Sequence, residues 1–250
     1  MRCIDTAEIR IDSACKMCYN TENPKERIVN IVKKSTPTQF ALRVLIYCVA
    51  LLLIAFGVAI SVNSNLGVSP VNSLPYVVSQ IIHVPMGTCV TVIFCFYILL
   101  QVIMLRKEFH PIQLLQIVFS TIFGYFVDFA KWAVGDFAIP TYFGQLAMLA
   151  FSIVLIALGV LLYMDVQLVP MPMEGLSSTI AKKLGKPFST MKTVVDCVVV
   201  ATGVVLCFIF LGGLDGIREG TIITAIVTGK VIGIMKKWIT PRINRLCFGE

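Results

Sequence analysis

The stretch IAFGVAISVNSNLGVSPVNSLPYVVSQIIHVPMGTCVTVIF, residues 54–94, decides the fold because the chain contains it twice. Laid without a gap on residues 156–196, IALGVLLYMDVQLVPMPMEGLSSTIAKKLGKPFSTMKTVVD, at an offset of 102, it is identical at 11 of 41 positions. Ile54, Ala55, Gly57 and Val58 fall on Ile156, Ala157, Gly159 and Val160. Further along, Leu66, Pro70, Leu74, Pro85, Thr88, Thr91 and Val92 fall on Leu168, Pro172, Leu176, Pro187, Thr190, Thr193 and Val194. Polar positions correspond in kind: Asn63 with Asp165, Asn65 with Gln167, Asn72 with Glu174. Apolar bias raises chance matches of Leu and Val, but it does not align prolines and threonines in order. Each copy reads as an apolar helix, a Pro-bounded polar break, a short helix, a second break and another apolar helix. A fixed-offset repeat sets the architecture before any motif is read. Interrupted apolar segments at matching places in two halves point to a transporter-type membrane fold with its site at the breaks.

Composition agrees. Of 250 residues, 57% are apolar and 14% charged, and the mean hydropathy is +0.87; a soluble domain carries roughly 25% charged residues. The net charge of +7 comes largely from basic groups in the N-terminal tail, at Arg106-Lys107, at Lys182, Lys183 and Lys186, and after Met235. Basic clusters at helix ends are what membrane topology produces, so no nucleic acid is expected as a partner. Cys48, Cys89, Cys95, Cys197 and Cys207 lie in apolar spans, where cysteine is a small hydrophobe. Cys15 and Cys18 form a CxxC with Cys3 upstream, but no second pair completes a four-ligand site, so no metal or cofactor is expected.

In chain order, residues 1–40 read as a poorly ordered cytosolic tail. The apolar run behind this charged leader reads as a retained helix, not a cleaved signal. Val44 to Val62 is uncharged for 19 residues, near the ~20 that a bilayer core requires. Further spans are expected over 88–105, 112–134, 142–164, 190–211 and 221–238, with short helices over 72–84 and 176–184. The organisation is therefore repeat 1 at 41–134, repeat 2 at 135–238, and a cytosolic basic tail at 239–250. If the short helices dip in and return, both tails, Arg106-Lys107 and Lys182-Lys183-Lys186 face one side, and the turns at Asp136 and Asp215 face the other. That arrangement satisfies the positive-inside rule throughout. It predicts an all-α integral membrane protein of six transmembrane helices plus two short re-entrant helices, arranged as two inverted repeats with both termini cytosolic.

Ionisable residues in or beside apolar helices are functional candidates, because a charge at the bilayer centre costs some ~2.5–3.5 kcal/mol. Glu174, Lys192, Asp196, Arg218 and Glu219 stand out, with Asn72, Ser69 and Ser73 at the matching break of the first copy. Lys192 and Asp196 are four apart on one helix face and can neutralise each other, which is also the bland reading of the pair. Glu174 follows Pro170 and Pro172 at the start of a short helix. There it either complements the helix dipole or offers a carboxylate where irregular backbone lines a cavity. Asp128 and Lys131, beside Trp132, read as interfacial; Lys230 needs a partner such as Asp196 or must reach the surface with its stem. His83 reads as interfacial. No G-x-S-x-G, Walker loop or HExxH motif is present, so no enzyme is expected.

The segments Leu66 to Pro75, Pro111 to Gln116, Gly124 to Asp128, Pro172 to Gly175, Lys192 with Asp196, and Arg218 to Thr221 resemble the YczE/YyaS/YitT-type family of bacterial multi-pass membrane proteins. The likeness covers roughly residues 40–238. It implies a bacterial plasma (inner) membrane location and no settled substrate. A small-solute transporter or permease, with a polar midplane site at the breaks, is the leading expectation; the rival is a non-transporting scaffold or accessory protein for a partner enzyme. Lipid and an unnamed small solute are the expected partners, and homo-oligomerisation is left open.

Overall fold

A computed structural model describes residues 37–106, 111–213 and 216–248. Of the expected tail 1–40, residues 1–36, with Cys3, Cys15 and Cys18, lie outside these residues, as do Lys107, His110 and Asp215, while 37–40 open the first helix. Among the described residues there are eight α-helices and no strand. In chain order they are α1 (Pro37–Asn63), α2 (Pro70–Ile82), α3 (Met86–Leu105), α4 (Leu115–Val134), α5 (Tyr142–Val166), α6 (Pro172–Leu184), α7 (Phe188–Leu206) and α8 (Glu219–Phe248). A 3-10 turn, Pro111–Leu114, precedes α4, and a π-helical turn, Cys207–Leu211, extends α7.

Five of these helices are long and apolar enough to cross a membrane: α1, α3, α4, α5, and α7 with its π turn. Their outward faces carry large apolar side chains that a water-soluble surface would not hold in such number. On α3, Val92, Phe96, Leu99 and Ile103 form one exposed stripe, and on α4 so do Tyr125, Phe129 and Trp132. Such faces are solvated by lipid. The expected sixth span lies inside α8, which also carries Lys230, Lys236 and Lys237. Residues 239–248, read from sequence as a tail, continue this helix for a total of 30 residues. Ile243 and Cys247 are buried there, and buried Arg43 of α1 donates to the Cys247 carbonyl at 3.1 and 3.3 Å. A cation at a helix C-terminus satisfies an orphan carbonyl and complements the dipole.

The repeat is written into the backbone. The short helices are each 13 residues, beginning at Pro70 and at Pro172. Proline is suited to the first helical position because its missing N–H would be unsatisfied there anyway. Asn65 and Gln167, matched by the offset, both have positive φ (55° and 57°), and so do the matched helix ends His83 and Gly185 (52° and 60°).

At the centre, α1 and α5 cross antiparallel on reciprocal contacts. A Cβ on Gly57 would come 2.6 Å from Ile156 Cγ1, and one on Gly159 would come 2.6 Å from Ile54 Cγ1. The backbone answers in kind, with the Ser152 carbonyl 3.0 Å from the first position and the Ala50 carbonyl 2.7 Å from the second. Around this crossing the halves exchange partners, α2 packing on α7 and α6 on α3. Each first helix also ties to the end of its own half. Asn63 Nδ2 donates to the Gly135 carbonyl at 2.7 Å, and Thr240 donates to Asp165 at 2.7 Å.

Gly159→Val should lower the unfolding temperature of detergent-purified protein, at a cost of about 1–3 kcal/mol from overpacking against a carbonyl that cannot rotate away. Gly229→Ala, in open space with nothing within 4 Å, should leave it unchanged. Equal melting of the two variants would refute a close crossing.

Candidate functional site at the second helix break

Chain direction in the second half puts α6 at the edge of the break 167–171. Met171 is extended (φ −63°, ψ 152°), and Pro172 opens the helix. Glu174, the third helical residue, accepts hydrogen bonds from the Tyr163 hydroxyl of α5 and the Met171 N–H. The second of these is the reach-back of a capping box, so the helix-end role expected of Glu174 is present. The phenol adds something a cap does not need: a polar partner from another helix, itself buried.

Lys192 on α7 donates to both Asp196 oxygens, at 2.8 and 3.0 Å. Both side chains are about a quarter exposed (23% and 25%), so the pair is incompletely screened by water. It lies within electrostatic range of Glu174. From α3, Tyr97 comes within range of Asp196, and its buried hydroxyl has no hydrogen-bond partner among the described residues. From α1, Tyr47 lies within range of Glu174 and donates to the Val169 carbonyl at 3.1 Å. Beneath the break, buried Gln101 donates to the Pro172 carbonyl at 3.0 Å and to Gln116 at 3.3 Å. Gly175 makes room for this layer, since a Cβ there would sit 2.6 Å from Gln101 Oε1. A small cavity lined by Tyr47, Leu51, Phe94, Phe123, Pro170 and Gln116 adjoins it.

The first copy differs. Asn72 occupies the position matched to Glu174 and donates to Ser69 Oγ at 3.0 Å, while Ser73 donates to the Pro70 carbonyl at 2.8 Å. All three are buried, and Asn72 Oδ1 has no partner among the described residues. Arg218 and Glu219 do not join Glu174. They form a half-exposed pair at 3.4 Å, and Arg218 donates to the Asn65 carbonyl at 3.2 Å, so they belong to the first break. The eight candidates therefore divide into two groups, one at each break.

Asp128, taken as interfacial, accepts from the Gly87 N–H at 2.6 Å and so caps α3 from α4. Lys230 is exposed, and Asp196 is held by Lys192, which leaves the surface-reaching alternative for Lys230. His83 is exposed at the end of α2. Among the described residues no group of three or more His, Cys, Asp or Glu could hold a metal ion. Tyr47, Tyr97, Tyr163 and Gln101 were missed. Gln101 gave a signal, being the one amide within an otherwise apolar span, but the tyrosines read no differently from lipid-facing aromatics.

Residues 41–237 match a family described as a family of unknown function, DUF6198. The chain belongs to this family. The curated "Uncharacterized membrane protein YczE" of Bacillus subtilis (strain 168) is 27% identical to this DUF6198 chain over 197 residues, 78% of this chain and 85% of the relative. The resemblance read from the segments around both breaks is thereby borne out, and with it a multi-pass membrane location in contact with lipid. No solved structure matches the DUF6198 chain.

Asp196→Asn would strand the Lys192 ammonium. Breaking a fully buried pair costs some ~3–5 kcal/mol; partial exposure here reduces this to roughly 1–3 kcal/mol, read as a lower unfolding temperature in detergent. A double variant with Lys192→Met should recover most of the loss. No recovery would mean the two side chains are not coupled.

Proposed function

We propose that this chain is a small-solute transporter or permease of six spans, α8 being the sixth, arranged as two inverted three-span repeats. The observation that carries the reading is the reciprocal placement of the two breaks. Each short helix starts inside the bundle and packs against the span that follows the short helix of the other half. Irregular backbone at membrane depth is tolerated only where protein or a water-filled path surrounds it. Two such places, matched by an internal repeat, are how alternating-access folds build a central site.

In this reading Glu174 is the carboxylate that solute or coupling ion meets. Lys192–Asp196 neutralises or gates beside it, and Asn72, Ser69 and Ser73 form the uncharged wall of the other break. Arg218 and Glu219 stand at the mouth on the far side. Both termini face the cytosol of a bacterial plasma membrane, as the basic clusters at Arg106 and Lys182-Lys183-Lys186 require under the positive-inside rule.

Two measurements test this. Single cysteines in a background without other cysteines should react with a membrane-impermeant reagent from outside at position 136 and not at positions 106 or 183; outside labelling at 106 sinks the inverted arrangement. A solute library, screened by uptake into proteoliposomes and by thermal shift, should give a signal that Glu174→Gln abolishes while leaving folding intact. If every signal shown by the wild type survives Glu174→Gln, the carboxylate is a helix cap only and a scaffold role gains.

A further inference from the structure

The charges around Glu174 do not balance. Around it are Tyr47 from α1, Tyr163 from α5, and Lys192 with Asp196 from α7, and Tyr97 from α3 lies within range of Asp196. On its own helix the nearest other charged groups are Lys182 and Lys183, more than two turns away at the opposite end. Lys192 neutralises Asp196, so an ionised Glu174 leaves one unbalanced negative charge at a depth where charge is costly. Something positive must be able to join the cluster.

The donors already present say what kind of cation fits. Glu174 is approached by a phenolic O–H and a backbone N–H, both of which point hydrogens at the carboxylate. A metal cation needs several oxygen lone pairs around it, six or more for the common hard cations. An inbound proton needs one. The Tyr97 hydroxyl supplies the second clue, because a buried phenol normally finds a partner, and among the described residues this one has none, with Asp196 in electrostatic range.

We propose that the Glu174 cluster is a proton-exchange site with two arrangements, in which Tyr97 takes the place that Lys192 vacates. With a proton from solvent bonded to a Glu174 oxygen, Lys192 rests wholly on Asp196 and Tyr97 is left over, the arrangement in this structure. When the proton leaves, the Lys192 ammonium is shared with the Glu174 carboxylate. The Tyr97 O–H then donates to Asp196 in compensation. No bond other than the O–H at Glu174 is made or broken. This deepens the permease reading and rests on it only in giving the proton the part of coupling ion.

Difference infrared spectroscopy of the purified protein, titrated with acid and base, reads the site directly. One carboxylic C=O band should rise and fall with pH in the wild type and be missing from Glu174→Gln. In Tyr97→Phe the band should persist but titrate at higher pH by roughly one unit, because the ionised arrangement has lost a compensating hydrogen bond. A titrating band unaffected by Glu174→Gln overturns the proposal, and so does an unchanged midpoint in folded Tyr97→Phe. A midpoint that falls as sodium chloride replaces choline chloride at constant ionic strength would make the occupant a metal cation and also overturns it. The two readings fail separately: a titrating Glu174 without solute uptake removes the permease and keeps the proton site, while wild-type uptake that Glu174→Gln abolishes, with no titrating carboxylic band in the wild type, removes the proton site and keeps the permease.

Discussion

Backbone amides and carbonyls buried away from water must find partners within the protein, and an unsatisfied one costs several kcal/mol. Two interruptions, at 64–69 and 167–171, therefore impose most of what surrounds them. At the first, the Val68 N–H donates to the Gly216 carbonyl at 3.1 Å and the Leu66 carbonyl accepts from the Gly220 N–H at 2.8 Å. Ser61 covers the Gly67 carbonyl at 2.9 Å and Arg218 the Asn65 carbonyl. At the second, the work falls to long side chains: Tyr47 on the Val169 carbonyl, Gln101 on Pro172, Glu174 on the Met171 N–H. One break is closed mainly by backbone from the segment ahead of α8, the other by side chains from the first half and from α6 itself.

That difference explains how two copies of one shape carry unlike chemistry. A break sealed by backbone needs small residues for close approach, and Gly67, with φ of 118° and the Thr221 hydroxyl 2.6 Å from where its Cβ would be, is such a place. Its match is Val169, whose neighbourhood is filled by Tyr47 reaching across. Where side chains do the sealing, their polar ends gather, and a carboxylate and an ion pair can be held among them. The asymmetry in charge is thus tied to the asymmetry in how hydrogen bonds are met.

The two short helices and the breaks before them were legible because they follow from local rules: prolines and polar residues, matched between the copies, interrupt apolar runs long enough to cross. The starts were placed late, at 72 and 176, because proline was read as ending a helix when it opens one here. The partition of Arg218 and Glu219 from Glu174 was not legible. Sequence neighbours of a repeat suggest a common site, but which break a residue reaches depends on the crossing of α1 and α5, a tertiary fact. Nor could Tyr97 or Tyr163 be singled out, since the same letter serves a buried phenol and a lipid-facing ring. Asp128 was set aside for its nearness to Trp132, a reasonable cue for an interface that gave no sign of the α3 N-terminus packed beside it.

The repeat also breaks where α8 and α4 should correspond, and this bears on motion. α4 lies along α3, its own half's second long span, and Asp128 pins the two together. α8 packs along α5, as α4 also packs along α1, but among the described residues it has no comparable packing on α7; its last turn is held to α1 by Arg43, and Thr240 bonds Asp165 of α5. α7 is left packed mainly against the two short helices and its own π turn, and it is the least buried of the five apolar spans. Packed interfaces tend to have discrete alternative arrangements, and the element with fewest large neighbours is the cheapest to shift. That element carries Lys192 and Asp196. An ion pair on the least buried of the five apolar spans thus stands beside a carboxylate whose helix start is held by Gln101 and Tyr163.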